Sequence, residues 1–448
     1  MHRVQGLSVA VFLAGFVLGA GAAQGEGNLH VGWAAVEITP PKPVALVGQL
    51  HKRISQSVHD PLTATALALE TRADDGKEQA IMISCDLIGI EKATQKRVQD
   101  LVKAKLPDFD AAKLFLNGTH THTGPGQSDA RFGTRYDVSK DPGVMKASEY
   151  ADFLVPRLAE AAVRAWQERK PGGMSWALGH AVVGHNRRAV YFDGSAAMYG
   201  STRRDDFDSL EGYEDHGVEM LFFWNPKGEL TGMVLNIACP AQETEGERYL
   251  SADFWHEIRQ ELKKRHSDKV HVFAQCGASG DQSPHLLVRQ QAEQIMLQRK
   301  GLSRRQEIAE RVARAVDAVF PLAKQDIKAR LVFKHAVLAV SLPTQQPPRT
   351  PFYETDGVQP VECHVLRLGD VALATNPFEL FLDYGIRMKT RSPAAMTLVV
   401  NLSCATCGYL PTAKAVRGGG YSADKFIVGP EGGQVLVNET VKQINRLW

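Results

Sequence analysis

The sequence predicts an α/β protein in which mixed sheets carry helices on their faces. Two observations predict this class. Apolar runs typical of strands alternate with amphipathic helical stretches, and one order of strand, turn, strand, helix and strand recurs three times along the 448 residues. Hydrophobic residues make up 44% and charged residues 23% of the chain, a balance that excludes disordered, collagenous and coiled-coil proteins.

The three copies of this pattern can be followed in chain order. The first has strands over 64–71 and 80–84, a turn at Asp74-Asp75-Gly76, a helix over 92–105 and a strand over 113–116. The second has strands over 218–224 and 230–237, a helix over 252–265 and a strand over 270–274. The third has strands over 361–368 and 371–375, a helix over 380–390 and a strand over 396–402. These copies predict three ββαβ-like units that converge on one site.

Reactive side chains follow the strands of these units. They are Asp86, His120, Cys239, Ser283, Glu379 and Tyr409. Ligands of α/β proteins gather beyond the carboxyl ends of strands, so we expect these residues to share one site. Helices over 147–168 and 286–323 are expected to cover the sheets, and the polar segment 126–141 to form a loop near the site. The copies share little sequence identity, so whether they form a genuine internal repeat is left open.

The N-terminal residues 1–23 have the features of a secretory signal peptide. A basic start at His2 and Arg3 precedes an apolar run over 7–18 and small residues at 20–23, with cleavage expected after Ala22 or Ala23. We therefore expect an exported protein, periplasmic or secreted, whose catalytic region spans 28–448. A net charge of +2 without a long basic block makes nucleic acid an unexpected partner.

No segment of the mature chain has the roughly 20 apolar residues of a membrane-spanning helix, although peripheral membrane contact stays open. Six cysteines are too few to build a disulfide scaffold in a chain of this length. Cys404 and Cys407 form a CxxC without a second such motif, and we interpret them as structural or inert. Disulfide pairing and oligomeric state are left open.

Three segments carry residues that can do chemistry. His120 and His122 lie in a loop of small residues after an apolar strand, where one suits a zinc ligand and the other an acid/base partner. Ser283 lies in a glycine-rich turn after another strand, as a nucleophile or as a residue that stabilises the turn. Glu379 opens a helix, where on its own it indicates no more than charge complementarity with the helix dipole.

The order of these motifs resembles the neutral/alkaline (non-lysosomal) ceramidase family over nearly the whole mature chain. The segments that carry the resemblance are Val31-Gly32, Glu37-Ile38-Thr39-Pro40, Asp60-Pro61-Leu62, Asp86, the THTHTGPG run at 119–126, Asn186-Arg187, Gly280-Asp281-Gln282-Ser283-Pro284, the 376–379 segment, and Gly408-Tyr409-Leu410 with Thr412. The resemblance implies zinc ligation by His120, Glu379 and Tyr409. It also implies that His122, Arg187, Ser283 and Tyr421 form the catalytic centre.

Two departures from the family are visible. Where the family has a ligand histidine followed by proline, this chain has Cys239-Pro240. A thiolate is a good zinc ligand, so the expected site is one zinc ion held by His120, Cys239, Glu379 and Tyr409, with another divalent metal or a weakened site as alternatives. His256 is a less favoured substitute ligand. Well-known members also carry a C-terminal immunoglobulin-like domain, which we do not expect here, and no apolar ceramide pocket is evident from the sequence.

The resemblance leads to zinc-dependent hydrolysis of an N-acyl amide, ceramide or a related N-acyl lipid. The ion would polarise the carbonyl and lower the pKa of bound water, and Arg187, His122 and Tyr421 would stabilise the oxyanion. Ser283 either attacks the carbonyl or positions the water. Two alternatives stay open: a metal-dependent hydrolase or lyase acting on a glycan or another small polar amide or ester, and a catalytically silent periplasmic binding protein. The substrate is a small molecule or a lipid in either enzyme.

Overall fold

A computed structural model of the protein describes residues 25–73, 76–130, 133–344 and 359–448. The expected signal peptide and the Asp74-Asp75 part of the first turn lie outside the described residues. The strands, in chain order, are β1 (Gly27–Glu37), β2 (Ala45–Leu46), β3 (Arg53–Ile54), β4 (Ser57–Val58), β5 (Thr63–Ala73), β6 (Gly76–Cys85), β7 (Leu114–Gly118), β8 (Lys170–Pro171), β9 (Gly173–His180), β10 (His185–Asn186), β11 (Arg188–Tyr191), β12 (Ala196–Met198), β13 (Phe207–Leu210), β14 (Gly217–Trp224), β15 (Leu230–Ile237), β16 (Tyr249–Leu250), β17 (His271–Cys276), β18 (Gln282–Ser283), β19 (Arg330–Leu331), β20 (Phe333–Val340), β21 (Val361–Leu368), β22 (Val371–Thr375), β23 (Glu379–Leu380), β24 (Met396–Val400) and β25 (Tyr409–Leu410).

The helices cover the faces of the sheets, as predicted. They are α1 (Lys92–Lys105), α2 (Ala147–Gln167), α3 (Phe254–Arg265), α4 (Gln290–Lys300), α5 (Arg304–Gln325), α6 (Leu382–Arg391), α7 (Ala413–Gly418), α8 (Tyr421–Asp424) and α9 (Pro430–Leu447), with 3₁₀ turns at Ala111–Lys113 and Gly133–Tyr136. No helix in the described ranges is both long enough and apolar enough to cross a membrane.

The three ββαβ units are present. In the first, β5 pairs antiparallel with β6, and α1 returns the chain to β7, which lies parallel to β6. In the second, β14 and β15 are antiparallel, and α3 leads to β17, parallel to β15. In the third, β21 and β22 are antiparallel, and α6 leads to β24, parallel to β22. The mixed α/β class is therefore confirmed.

Each unit forms the centre of its own sheet. The strand orders are β19-β1-β5-β6-β7, with β8 also on β1, then β17-β15-β14-β9, and finally β20-β21-β22-β24. One apolar cluster contains residues from all three sheets, including Phe115, Phe223 and Leu373. Further clusters bury the outer faces beneath α1 and α2, α3 and α5, and α6 and α9. The strands are nearly continuous apolar runs because both of their faces are buried.

One predicted element is wrong. The helix expected over 286–323 is two helices, α4 and α5. Gly301 ends α4 in the left-handed region at φ +64°, and Ser303 starts α5 by accepting a hydrogen bond from the backbone N–H of Gln306. Glycine at a helix end and serine at the next start are a stop signal and a start signal, so the sequence contains the information that splits this helix.

Candidate functional site

The candidate site lies where the three units end. His120 follows β7, Ser283 lies beyond β17, Glu379 follows β22 and Tyr409 lies beyond β24. Two short ladders outside the main sheets fix these residues. β23 pairs parallel with β25 so that Glu379 is opposite Tyr409, and β10 pairs antiparallel with β18 so that His185 is opposite Ser283. The two ladders thereby join residues that are 30 and 98 positions apart in the chain.

The His120 side chain is oriented by its own backbone and by a carbonyl. Its φ is +66°, and the backbone N–H donates to the carbonyl of Leu87. Nδ1 lies 2.6 Å from the carbonyl oxygen of Ile88, which can only accept, so Nδ1 carries the hydrogen. The lone pair of Nε2 then faces Glu379, with Nε2 3.4 Å from Oε2. This is the arrangement of a metal-ligating histidine whose second nitrogen is fixed by a backbone acceptor.

A narrow cavity of about 60 Å³ opens at this pair. Its lining residues include four of the predicted site residues besides Glu379, namely His120, His122, Tyr409 and Tyr421. The rings of Tyr409 and Tyr421 meet edge to face with centroids 5.7 Å apart. Tyr136, from the segment expected to form a loop near the site, also lines the cavity, so that location is confirmed.

Arg187 connects the cavity to Ser283. Its Nη2 donates to the carbonyl of Gly280 at 2.9 Å and to the Tyr409 hydroxyl at 3.4 Å, and its Nη1 donates to the Tyr199 hydroxyl at 3.5 Å. Tyr199 in turn donates to Ser283 Oγ at 3.0 Å. The guanidinium is buried and its Nε has no protein partner among the described residues. Arg187 is therefore a buried cation with a donor left for another group.

Ser283 is fully buried and accepts two hydrogen bonds. One comes from Tyr199 and the other from the backbone N–H of His285, at 3.1 Å. The turn before it is fixed by Asp281, whose carboxylate accepts from the side chain of Asn186 and from the backbone N–H of Leu382. The predicted Ser283 turn and the predicted Asn186-Arg187 pair are thus parts of one hydrogen-bonded structure.

The segment after Cys239-Pro240 contributes residues that the sequence reasoning missed. Gln242 Oε1 accepts from Arg187 at 3.2 Å, and Gln242 Nε2 donates to Glu245 at 2.9 Å. Glu245 lies 3.5 Å from Nδ1 of His122 and 3.4 Å from Nε2 of His285. The sequence did contain a signal for these residues, because the segment lies just beyond a predicted strand end, where site residues are expected. Tyr199 had no comparable signal, because it lies between the short strands β12 and β13.

The electrostatics keep His122 neutral and Glu245 charged. Burial, reinforced by the neighbouring His120, lowers the pKa of His122 to about 3. Burial alone would raise the pKa of Glu245, but hydrogen bonds from His285 and Gln242 lower it to about 2. Burial likewise opposes ionisation of Glu379, whose pKa is nevertheless lowered by His120.

Cys239 lies in the apolar core of the second sheet, among residues such as Ile237 and Phe254. Its Sγ is 3.5 Å from the carbonyl of Pro240, and burial raises the pKa of the thiol far above its usual range. His120 and Glu379 do not form with it a group of ligand atoms within 4.8 Å in the part of the chain that the structure describes. Cys239 as a ligand stays a prediction.

Two other residues from the sequence have structural partners. The Asp86 carboxylate accepts two hydrogen bonds from the Arg259 guanidinium, at 2.7 and 2.9 Å. Asp86 and Arg259 therefore form a buried ion pair. His256, the less favoured substitute ligand, lies 4.0 Å from Asp60. Neither residue lines the cavity described above.

The geometry defines an α/β protein whose three ββαβ units meet at a site of histidine, carboxylate and tyrosine. Among solved structures it is similar to neutral ceramidase from Pseudomonas aeruginosa, with a TM-score of 0.71 at 16% identity over 94% of this chain and 75% of that chain. It is also similar to a ceramidase complexed with C2, with a TM-score of 0.69 at 16% identity over 94% and 76% of the two chains. The chain therefore has the fold of neutral ceramidases, as the sequence resemblance implies.

Neither protein-family models nor curated protein sequences give a significant match.

Proposed function

We propose that the protein is a zinc-dependent amidohydrolase that cleaves an N-acyl amide, ceramide or a related N-acyl lipid, to a fatty acid and an amine. The observation that carries the proposal is the alignment of Glu379 opposite Tyr409 with the free Nε2 of His120 3.4 Å from the Glu379 carboxylate. Imidazole, carboxylate and phenolate are donors that suit zinc, and three protein ligands with an open position are typical of catalytic zinc.

His120, Glu379 and Tyr409 would hold the ion, and Cys239 is the predicted fourth ligand. When bound, zinc supplies Lewis-acid activation of the scissile carbonyl and of water. The fit is best for His120, because its Nδ1 is already fixed by the carbonyl of Ile88. Cys239 fits less well, since its thiol is buried in the core and protonated.

The groups around the cavity suit the negative charge that develops when an amide carbonyl is attacked. Arg187 brings a buried cation to the Tyr409 hydroxyl, and in a buried site such a charge acts with little screening. His122 is neutral, and neither ring nitrogen has a hydrogen-bond partner among the residues that the structure describes, so it can donate an N–H to an oxyanion. Tyr421 remains protonated, because burial raises its pKa to about 12, and it too can donate.

Ser283 is the proposed centre of amide cleavage. Both hydrogen bonds that it accepts orient its Oγ and leave its own hydrogen to be donated. This arrangement supports a serine that positions water by donating that hydrogen, and attack by Ser283 on the carbonyl would in addition transfer the hydrogen to a base. The distinction needs the trapping of an acyl-enzyme.

A pocket of about 270 Å³ supports binding of an acyl chain. Tyr136 lines both this pocket and the site cavity, and the apolar residues Val44, Val47 and Met145 line its interior. The volume is at the lower end of ligand pockets, so we expect a short acyl group to be preferred. Asp129, Asp137 and Lys146 also line this pocket and favour the second candidate, a hydrolase of small polar amides or esters.

Export is part of the proposal and rests on residues 1–23. A basic start, an apolar run and small residues before the expected cleavage point are the sequence features that support it. N-terminal sequencing of the protein recovered from the periplasm or the medium tests it. A mature start at 23 or 24 is expected, whereas an intact Met1 on the recovered protein would contradict it.

The test of the activity combines elemental analysis with release of fatty acid from a fluorescent short-chain ceramide. We expect about one catalytic zinc per chain and amide cleavage in the wild type. The variant Ser283→Ala should lose turnover and keep its metal, while Ser279→Ala is the matched control, since its hydroxyl bonds the carbonyl of Gly277 rather than Tyr199. Turnover near wild type in Ser283→Ala would refute the assigned role.

The other outcomes separate the alternatives. Metal without ceramide cleavage, but with cleavage of short polar amides, would favour the second candidate. No bound metal and no turnover would favour a silent binding protein. Comparison with Cys239→Ala tests the fourth ligand, because loss of the catalytic metal is expected only if the thiol moves out of the core to reach it.

A further inference from the structure

A second group of metal-ligand atoms lies outside the candidate site. Glu362, His364 and Cys404 place a carboxylate oxygen, an imidazole nitrogen and a sulfur within 4.8 Å of one another. Glu362 and His364 are alternate residues of β21 and therefore share one face of the strand, while Cys404 follows β24. His364 and Cys404 are buried, and the Glu362 side chain is 38% exposed. We refer to these residues as the Glu–His–Cys cluster.

Hydrogen bonding fixes which nitrogen of His364 is free. Nδ1 of the buried His335 lies 2.9 Å from the carbonyl of Gln79, so Nδ1 carries the hydrogen and Nε2 of the neutral ring accepts. That Nε2 is 2.8 Å from Nδ1 of His364, which must therefore donate. The remaining nitrogen of a neutral His364, Nε2, presents its lone pair to Glu362 Oε1 at 3.0 Å.

Two acceptors facing each other at 3.0 Å need a proton or a metal ion between them. The proton would be held either by His364 Nε2 or by the Glu362 carboxyl. The fully buried His364 packs against Phe115 with ring centroids 4.7 Å apart, which fixes the orientation of its ring. Cys404 adds a sulfur, which hydrogen-bonds to Glu362 while it is protonated. Imidazole nitrogen, carboxylate oxygen and thiolate sulfur are all ligands that zinc binds in proteins.

We propose that Glu362 Oε1, His364 Nε2 and Cys404 Sγ bind a structural zinc ion, with solvent at the exposed side of Glu362 as the fourth ligand. Carboxylate and thiolate together supply two negative charges for a divalent cation, and mixed N, O and S donors suit zinc. Binding forms a Zn–S bond and releases the Cys404 thiol proton to solvent. Ligand atoms around tetrahedral zinc lie roughly 3.2–3.7 Å apart, so Nε2 and Oε1 need to separate only slightly.

The cluster is well placed to anchor part of the candidate site. Cys404 begins the loop that leads to Thr406 and Tyr409, both of which line the site cavity. Its backbone is in the left-handed region at φ +65°, and its N–H donates to the carbonyl of Leu116. An ion at Cys404 would hold this loop to β21 of the third sheet. The inference uses none of the proposed catalytic residues and stands or fails independently of the proposed function.

Cobalt titration of the chelator-stripped full chain tests the inference. Thiolate-bound Co²⁺ has a near-ultraviolet charge-transfer band, which we expect to rise to one equivalent in the wild type and to disappear when Zn²⁺ is added. Cys404→Ser should abolish the band. Cys407→Ser is the matched control, a buried cysteine three residues away and outside the cluster, and it should keep the band.

Two further variants complete the test. Cys239→Ser should keep the band, whereas loss of the band there would place the thiolate at the candidate catalytic site and overturn the inference. Glu362→Gln changes a half-exposed side chain and should fold even if Cys404→Ser does not. It should weaken Co²⁺ binding at least tenfold, and Zn²⁺ should raise the unfolding temperature of the wild type more than that of Glu362→Gln. No band in the wild type, or unchanged affinity in Glu362→Gln, would overturn the inference and leave a hydrogen-bonded His364–Glu362 pair.

Discussion

The hydrogen bond from Tyr199 to Ser283 can be tested without knowing the substrate. Tyr199→Phe removes only the hydroxyl that donates to Ser283 Oγ at 3.0 Å. Ser283→Ala removes the acceptor of the same bond. Each single variant leaves few orphaned groups, since Ser283 still accepts from the backbone of His285 and the Tyr199 hydroxyl still accepts from Arg187. A double-mutant cycle then reports the bond itself rather than the penalty of an unpaired buried group.

The expected coupling follows from the type of bond. A neutral hydrogen bond between side chains contributes about 0.5–1.5 kcal/mol to folding, so the cycle should give about 1 kcal/mol. Urea unfolding of wild type, both single variants and the double variant measures it. The pair of Tyr199→Phe with Ser279→Ala is the control, and its effects should add to within about 0.5 kcal/mol, because Ser279 bonds Gly277 and Cys276 instead.

A coupling no larger than that of the control pair would refute the hydrogen bond. If Ser283 acts in amide cleavage, the same variant also has a kinetic effect. Loss of about 1 kcal/mol of orientation lowers kcat of Tyr199→Phe about fivefold with little change in KM. An unchanged kcat beside a normal coupling energy would mean that the bond stabilises the fold without positioning the reaction.

Three further predictions concern the site. Arg187→Gln should lower kcat about 10²–10³-fold, as removal of an oxyanion donor does, while Arg187→Lys should recover only part of the loss; equal activity of the Gln variant and wild type would contradict this role. Acid should destabilise the wild type as pH falls from 6.5 towards 3, because the folded-state pKa of His122 lies below its unfolded value and the unfolded chain binds the proton first. Over that pH range the unfolding free energy falls by about 5 kcal/mol because of His122. In chelator-treated protein, His122→Asn should therefore reduce the pH slope of the unfolding free energy by about 1.4 kcal/mol per pH unit. Equal slopes in wild type and His122→Asn would refute the assignment. Gly280→Ala places a Cβ 2.3 Å from the carbonyl oxygen of Glu379 and should cost about 1–3 kcal/mol in urea unfolding, whereas Gly246→Ala meets no atom within 4 Å and should cost far less; similar costs would show that the turn at Gly280 has room.

The elements predicted best from the sequence are those whose pattern is decided locally. The helix over 92–105 and the strands over 230–237 and 371–375 have the predicted bounds, because apolar periodicity and flanking turns fix them. The convergence of strand ends also followed from the general geometry of α/β units. These features need no information on which distant side chains meet.

The parts that the sequence did not predict depend on distant contacts. Tyr199 reaches Ser283 only because the short β10–β18 ladder brings two loops together. The sulfur of Cys239 lies in the apolar core of the second sheet, a placement set by packing against distant residues, and its role as a metal ligand stays a prediction. Sequence position identifies a candidate ligand, but packing decides where its side chain lies.

The sharing of one site among three ββαβ units has a consequence for how the protein acquires activity. His120 belongs to the first unit, Ser283 to the second, and Glu379 and Tyr409 to the third. Each unit can form its own hairpin and crossover locally, but none alone contains the site. During synthesis the contributions of the third unit, Glu379 and Tyr409, emerge after those of the first and second units. An N-terminal fragment could therefore be well structured and still inert, and the onset of turnover would mark the end of folding rather than any intermediate stage.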